Sequence, residues 1–204
     1  AVSAGSTALG GAVGVDVINS SANASVFSGA DVQADQAVKV EAAAKDTLRN
    51  AIAGGTVSGS STGVTGVLAV AVDTEKARVS IGTDGAVDSD GKKKTTTVKS
   101  TTDSITAAAK HTAVVDNLAG ALGMGSSTGI GLGVGTEIVT NETSALVGDD
   151  ATLTAGNDVQ VTALSDTTVN TLSAAGAAGA TTGVGAAGNV HVLNEDTKAR
   201  IGRS

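Results

Sequence analysis

"STGIGLGVGTEIVT" (127–140) reads as a β-strand with half of its side chains missing. Ile130, Leu132, Val134 and Ile138 alternate along it as a half-buried strand requires, and Gly129, Gly131, Gly133 and Gly135 stand between them. Glycine inside a strand weakens it, because it loses much backbone entropy on ordering and offers nothing to pack. Four glycines on one face therefore imply that something flat lies close against that face.

The stretch recurs. "STALGGAVGVDVIN" from Ser6, "STGVTGVLAVAVD" from Ser61 and "TTGVGAAGNVHVLN" from Thr181 align with it. Their equivalent threonines, Thr7, Thr62, Thr128 and Thr182, are spaced by 55, 66 and 54 residues. A second block follows each first block: "ASVFSG" (24–29), "ARVSIG" (77–82), "ALVG" (145–148) and "ARIG" (199–202). A third appears as "ADVQADQAVKVEAAAKDT" (30–47) and "DATLTAGNDVQVTALSDT" (150–167). The 204 residues are thus one repeat array, 1–204, of about three and a half units starting near 6, 61, 127 and 181. Ala1 is not an initiator methionine and the last copy stops inside the repeat, so a longer chain is expected.

Inside a unit, "VKVEA" (38–42) and "VQVTA" (159–163) alternate and follow the turn formers "ADQA" and "AGND". Alternating runs punctuated in this way predict an all-β fold, a parallel β-helix-like solenoid with Gly/Ala-rich flat strands. A unit is expected to hold two or three coils of about 20–30 residues each. The added length of the second unit is placed between Asp103 and Leu118. Segments 41–54 and 104–119 also carry helix propensity. Strand or extended loop is preferred there, since equivalent parts of a repeat share one structure; short helical insertions are the alternative.

The alignment also sorts the residues into two faces. An aliphatic core ladder is expected from Val13, Val15 and Val17, Leu68, Val70 and Val72, Val134 and Ile138, and Val190 and Val192. The opposite, flat packing face holds Gly10, Ala12 and Gly14, Ala69 and Ala71, Gly131, Gly133 and Gly135, and Gly185 and Ala187. Asp16, Glu137 and His191 stand at its end. Its partner is either the chain itself, with "SAAGAAGATTG" (173–183) the nearest candidate, or a neighbouring chain.

Composition removes several function classes. There is no Trp, Tyr, Pro or Cys, and only Phe27 and Met124 represent their kinds. Aromatic anchors for sugars or protein hot spots are lacking, and so are disulfides and thiolate metal sites. A net charge of −7 opposes binding to nucleic acid and to anionic membranes. No apolar run approaches the roughly 18 residues of a membrane span. The aromatic girdles of an outer-membrane barrel are missing as well. His111 and His191 have no Asp, Glu or His beside them at metal-ligand spacing, and His191 reads as a solvent-facing strand residue. Asp88, Asp90, Asp149 and Asp150 read as turn residues and Lys92-Lys93-Lys94 as solvated surface. The glycines alternate within a strand instead of opening a helix, so they form no nucleotide loop. Neither catalytic residues, metal nor cofactor are expected, and the chain is not read as an enzyme.

"ATLTAGNDVQVTALSDTTVNTLSAAGAAGA" (151–180) and "TTGVGAAGNVHVLNEDTKARIG" (181–202) resemble the repeats of very large bacterial exoproteins. These are filamentous-haemagglutinin and leukotoxin-like surface adhesins, exported by two-partner or autotransporter secretion. The resemblance implies a β-solenoid stalk outside the cell or on its surface and brings no catalytic residues with it. The expected function is a structural segment of a cell-surface adhesin or extracellular filament, giving reach and presentation. Its partners would be neighbouring repeats of the same chain. A self-assembling fibre subunit, pairing through flat Gly/Ala faces and strand edges, is the alternative. An ice- or glycan-binding surface of Thr and Ala rows is a third.

Overall fold

A computed structural model describes residues 2–3, 6–59 and 61–202. Its strands are β1 (Val2–Ser3), β2 (Thr7–Val26), β3 (Asp31–Ala34), β4 (Val38–Ser58), β5 (Thr62–Ile81), β6 (Thr96–Ser100), β7 (Ile105–Gly125), β8 (Thr128–Val147), β9 (Ala151–Thr154), β10 (Val159–Ala178) and β11 (Thr182–Ile201). No helix occurs among the described residues. Three parallel sheets run in the orders β1-β4-β7-β10, β11-β8-β5-β2 and β3-β6-β9. We call them the A, B and C sheets. The chain is a β-solenoid.

Register follows the sequence repeat. Thr7 pairs with Thr62, Thr62 with Thr128, and Thr128 with Thr182. One unit is a single wide coil, not two or three narrow ones: a B strand, a short C strand, then an A strand. The physical reason is punctuation. Turn formers inside the runs, such as Asn19-Ser20-Ser21 and Gly54-Gly55, are held extended by a parallel neighbour, so only the corner clusters turn the chain and the strands continue unbroken for 20 or 21 residues. The corner after the B strand is turned by glycine with positive φ at Gly82 (61°) and Gly202 (81°).

Segments 41–54 and 105–119 lie within β4 and β7 and are strand throughout. Each is hydrogen-bonded along its length to a parallel neighbour, and that tertiary context overrides their local helix propensity. The added length of the second unit also lies elsewhere than expected. Ile81 and Thr96 are 15 positions apart, whereas their ladder partners Val147 and Ala151 are 4 apart. The insertion is the corner loop 82–95, which carries Lys92-Lys93-Lys94 and closes on itself through a Val87–Lys93 bridge. Lys93 Nζ lies 3.1 Å from Asp150 Oδ2, which ties the loop to the next coil.

The two faces of the B sheet are reversed from the sequence expectation. Val13, Val15, Val17, Leu68, Val134, Ile138, Val190 and Val192 point outward and are exposed, Val13 at 71% and Val190 at 52%. Val70 and Val72 share that outer face and are half-buried by their ladder neighbours. Inward point Gly10, Ala12, Gly14, Ala69, Ala71, Gly131, Gly133, Gly135, Gly185 and Ala187, facing the A sheet. A period of two separates two faces but does not say which is covered.

The interior is a wedge. At the thick end, against the C sheet, Val79, Ile81, Val98, Ile105, Ala107, Ala145 and Val147 form an aliphatic cluster. Two smaller clusters follow, one around Leu48, Ala71, Val115 and Val139 and one around Val67, Ala69, Ala119 and Ala121. Beyond them the A and B sheets meet almost backbone to backbone. A Cβ placed on Gly131 would stand 2.3 Å from the Gly176 carbonyl oxygen, and one on Gly133 2.8 Å from that of Ala174. Ordinary packed sheets lie about 10 Å apart with a layer of side chains between them; here that layer is absent. The flat partner of the glycine face is therefore the chain's own "SAAGAAG" segment on β10.

Close approach also lets side chains of one sheet bond the backbone of the other. Asn117 Nδ2 donates to the Ala69 carbonyl (3.2 Å) and the Thr136 carbonyl (3.1 Å). Asn50 Nδ2 donates to the Val70 carbonyl (2.9 Å), one coil away. Thr65 Oγ1 donates to the Leu122 carbonyl (2.9 Å).

Candidate functional site

Two features go beyond what the fold needs. The first is outside. On the B sheet the columns Leu9–Val64–Ile130–Val184, Val13–Leu68–Val134, Val15–Val70–Thr136–Val190 and Val17–Val72–Ile138–Val192 lie side by side. They form an aliphatic plate with a shallow trough where Gly11 and Gly66 carry no side chain. From Leu9 to Val17 is about 26 Å, and four strands span about 19 Å, so the plate covers roughly 500 Å². A patch of that size matches the largest one found on typical monomers, which is often functional. The outside of the A sheet is apolar over the same thin end, through Val57, Leu118, Leu122, Met124 and Leu172. The thick end is polar outside and carries the ion pair Arg78–Glu142, while Arg49–Asp116 lies midway along the A sheet. Exposed pairs of this kind contribute little stability.

The second feature is inside. Between the thick aliphatic cluster and the Leu48–Val115 cluster, Asp73 and Glu75 of β5 face Asp46 of β4 and His111 of β7. Asp73 is 1% exposed, Glu75 is fully buried, and His111 is 1% exposed. One oxygen from each of Asp46, Asp73 and Glu75 lies within 4.8 Å of the others. Ser20 Oγ donates to Asp46 Oδ2 (2.5 Å). His111 Nδ1 is 3.1 Å from Ser165 Oγ, while its Nε2 abuts Glu75 Oε2. Both oxygens of Asp73 and Oε1 of Glu75 have no polar partner, while Glu75 Oε2 is met by His111.

Burial sets the electrostatics of this seam. It raises Asp73 to about 6, with the Asp46 charge adding to the effect. It raises Glu75 to about 9, with help first from the adjoining Asp46 carboxylate and then from Asp73. The His111 imidazole is pushed down by burial, against the upward pull of the surrounding carboxylates.

Sequence reasoning missed this cluster. Asp46 and Asp73 are 27 positions apart and sit on different sheets of successive coils, so no linear spacing announces them. His191 is a strand residue whose side chain remains exposed, as expected, although its column faces inward. It occupies the inward column Ala71–Glu137–His191, and its Nδ1 lies 2.7 Å from Oε2 of the buried Glu137. Asp149 and Asp150 lie at the turn before β9, and Asp88 Oδ1 accepts from the Asp90 and Lys92 amides within the corner loop (both 2.9 Å).

Comparison with family models, curated proteins and solved structures returns no match. No helix among the described residues is long and apolar enough to cross a membrane.

Proposed function

We propose that the chain is a structural segment of a bacterial cell-surface adhesin or extracellular filament, working by presentation of a surface and not by chemistry. The observation that carries this reading is the in-register stacking of near-identical coils, each offering its outer face to solvent at the same place. Asp73, Glu75 and His111 of the titratable cluster described above are buried.

The geometry favours breadth over reach. A strand of 20 residues spans about 66 Å across the solenoid, while each added coil raises it by only about 4.8 Å. Each coil thus widens nothing and lengthens little; it adds a strip to two broad faces. Small-angle scattering tests the architecture. Duplicating residues 128–181 should leave the long dimension near 66 Å and thicken the particle by about 4.8 Å. A particle that lengthens into a rod overturns the broad-slab reading. For location, antibodies against the chain should label intact, unpermeabilised producing cells. Labelling confined to permeabilised cells would exclude a surface role.

The aliphatic plate favours a second reading, lateral self-association. Flat Gly/Ala faces are not available for it, since they are buried against the A sheet. Two copies joined plate to plate would bury roughly 1,000 Å², the size of a weak, reversible interface. Sedimentation velocity should then show concentration-dependent dimers, abolished by Leu132→Lys at the centre of the plate. Monomers at every concentration would exclude this reading.

A further inference from the structure

We propose that Asp46, Asp73 and Glu75 hold a hard divalent cation of the calcium class inside the solenoid, fastening the A sheet of the first coil to the B sheet of the second. Two oxygens on opposite sides of a calcium ion, each about 2.4 Å from it, stand about 4.8 Å apart. Each of the three carboxylates places an oxygen within that distance of the other two, so a single ion can reach all three. Three carboxylates that can each bind through one or two oxygens are the hard donors calcium takes, and Ser20 Oγ stands beside Asp46 Oδ2. Magnesium holds several waters and suits this sealed interior less well.

Proximity of carboxylates alone would not require an ion. The hydrogen bonding does. Both oxygens of the buried Asp73 and Oε1 of the buried Glu75 are unbonded, and so is the buried Oδ1 of Asn141, the ladder neighbour of Glu75. Buried acceptors left in this state are costly, and a cation satisfies them together. His111 Nε2 contacts Glu75 Oε2, which leaves Glu75 Oε1 and both oxygens of Asp73 as the buried acceptors in want of a partner. A divalent cation offsets the negative charge of carboxylates gathered in so buried a place.

The test uses the 204-residue chain stripped with EDTA and dialysed at pH 7.5. Calcium, magnesium, manganese and zinc chlorides are added singly, and binding is followed by titration calorimetry and thermal melting. One calcium per chain is expected, with the melting midpoint raised by roughly 5–10 °C at a hundredfold excess over Kd. Asp73→Asn with Glu75→Gln keeps shape and removes charge. That variant should melt at one temperature with or without calcium. Asp46→Asn, at a half-buried position, should weaken binding at least tenfold and serves if the double variant does not fold. The proposal is overturned if none of the four cations moves the midpoint, if zinc alone does, or if calcium stabilises the variants as much as the parent. A midpoint that responds to pH but to no cation assigns the seam to protons instead.

Discussion

The two ends of the coil solve opposite problems with the same backbone. At the thick end, Ile81, Val98 and Ile105 fill a space held open by the C sheet, and stability comes from aliphatic burial. At the thin end Ile52 and Val67 stand between the sheets in the first two coils, and in the third the A and B sheets have closed on each other across glycine and alanine. The thick end is apolar within and polar without. The thin end is apolar without and has almost no interior. An outward valine at the thin end is therefore no sign of a core, and an inward glycine is no sign of weakness. Glycine is the residue that permits the contact.

This contrast can be broken most severely at the thin end. Gly131→Val forces a branched side chain into the Gly176 carbonyl and must separate two sheets to do so. We expect a loss of at least about 4 kcal/mol, or failure to fold, measured by urea unfolding. At the thick end Ile81→Ala removes a fully buried side chain and should cost about 2–5 kcal/mol in the same measurement. If Gly131→Val proves milder than Ile81→Ala, the sheets are not in backbone contact. Between the ends, Asn117→Ala deletes two inter-sheet hydrogen bonds and should cost about 1–3 kcal/mol.

The polar seam gives the contrast a pH dependence. Asp73 and Glu75 titrate higher in the fold than in the unfolded chain, where their values are 3.8 and 4.5. The folded chain therefore holds more protons over this range, and stability falls as pH rises, through about 6 for Asp73 and about 9 for Glu75. In EDTA the melting midpoint should decline from pH 5 to pH 9, and Glu75→Gln should flatten the upper part of the decline. A midpoint that climbs over that range would show that neither carboxylate is buried as described. The smallest effect belongs to the outer face. A Cβ on Gly66 meets nothing within 4 Å, and its φ is not positive, so Gly66→Ala should be neutral or stabilising by up to about 1 kcal/mol.

Much of this was legible in the residues. The alignment of Thr7, Thr62, Thr128 and Thr182 is the hydrogen-bond register itself, and "ADQA" and "AGND" mark real corners. The "SAAGAAG" segment could be named as a partner because only side chains so small allow such an approach. Orientation was not legible. The preference for aliphatic residues inside depends on a core with thickness, and the wedge runs out of thickness where Val13 and Val15 stand. Coil width was hidden as well, since a strand of 20 residues looks like several strands until its missing turns are noticed. The carboxylate cluster was beyond reach, because β4 and β5 bring it together only by facing each other across the coil.

The strands run crosswise to the solenoid axis, and the chain leaves each coil at a corner. A pull along that axis therefore does not load a whole ladder at once. It opens the hydrogen bonds one after another from the corner, as a zip fastener opens. A coil such as that from Thr128 to Thr182 contributes about 4.8 Å of length while closed. Unravelled, its 54 residues reach about 180–190 Å, roughly fortyfold more. Short at rest, the array stores its length in its width and yields under tension one coil at a time, as a mechanical fuse does.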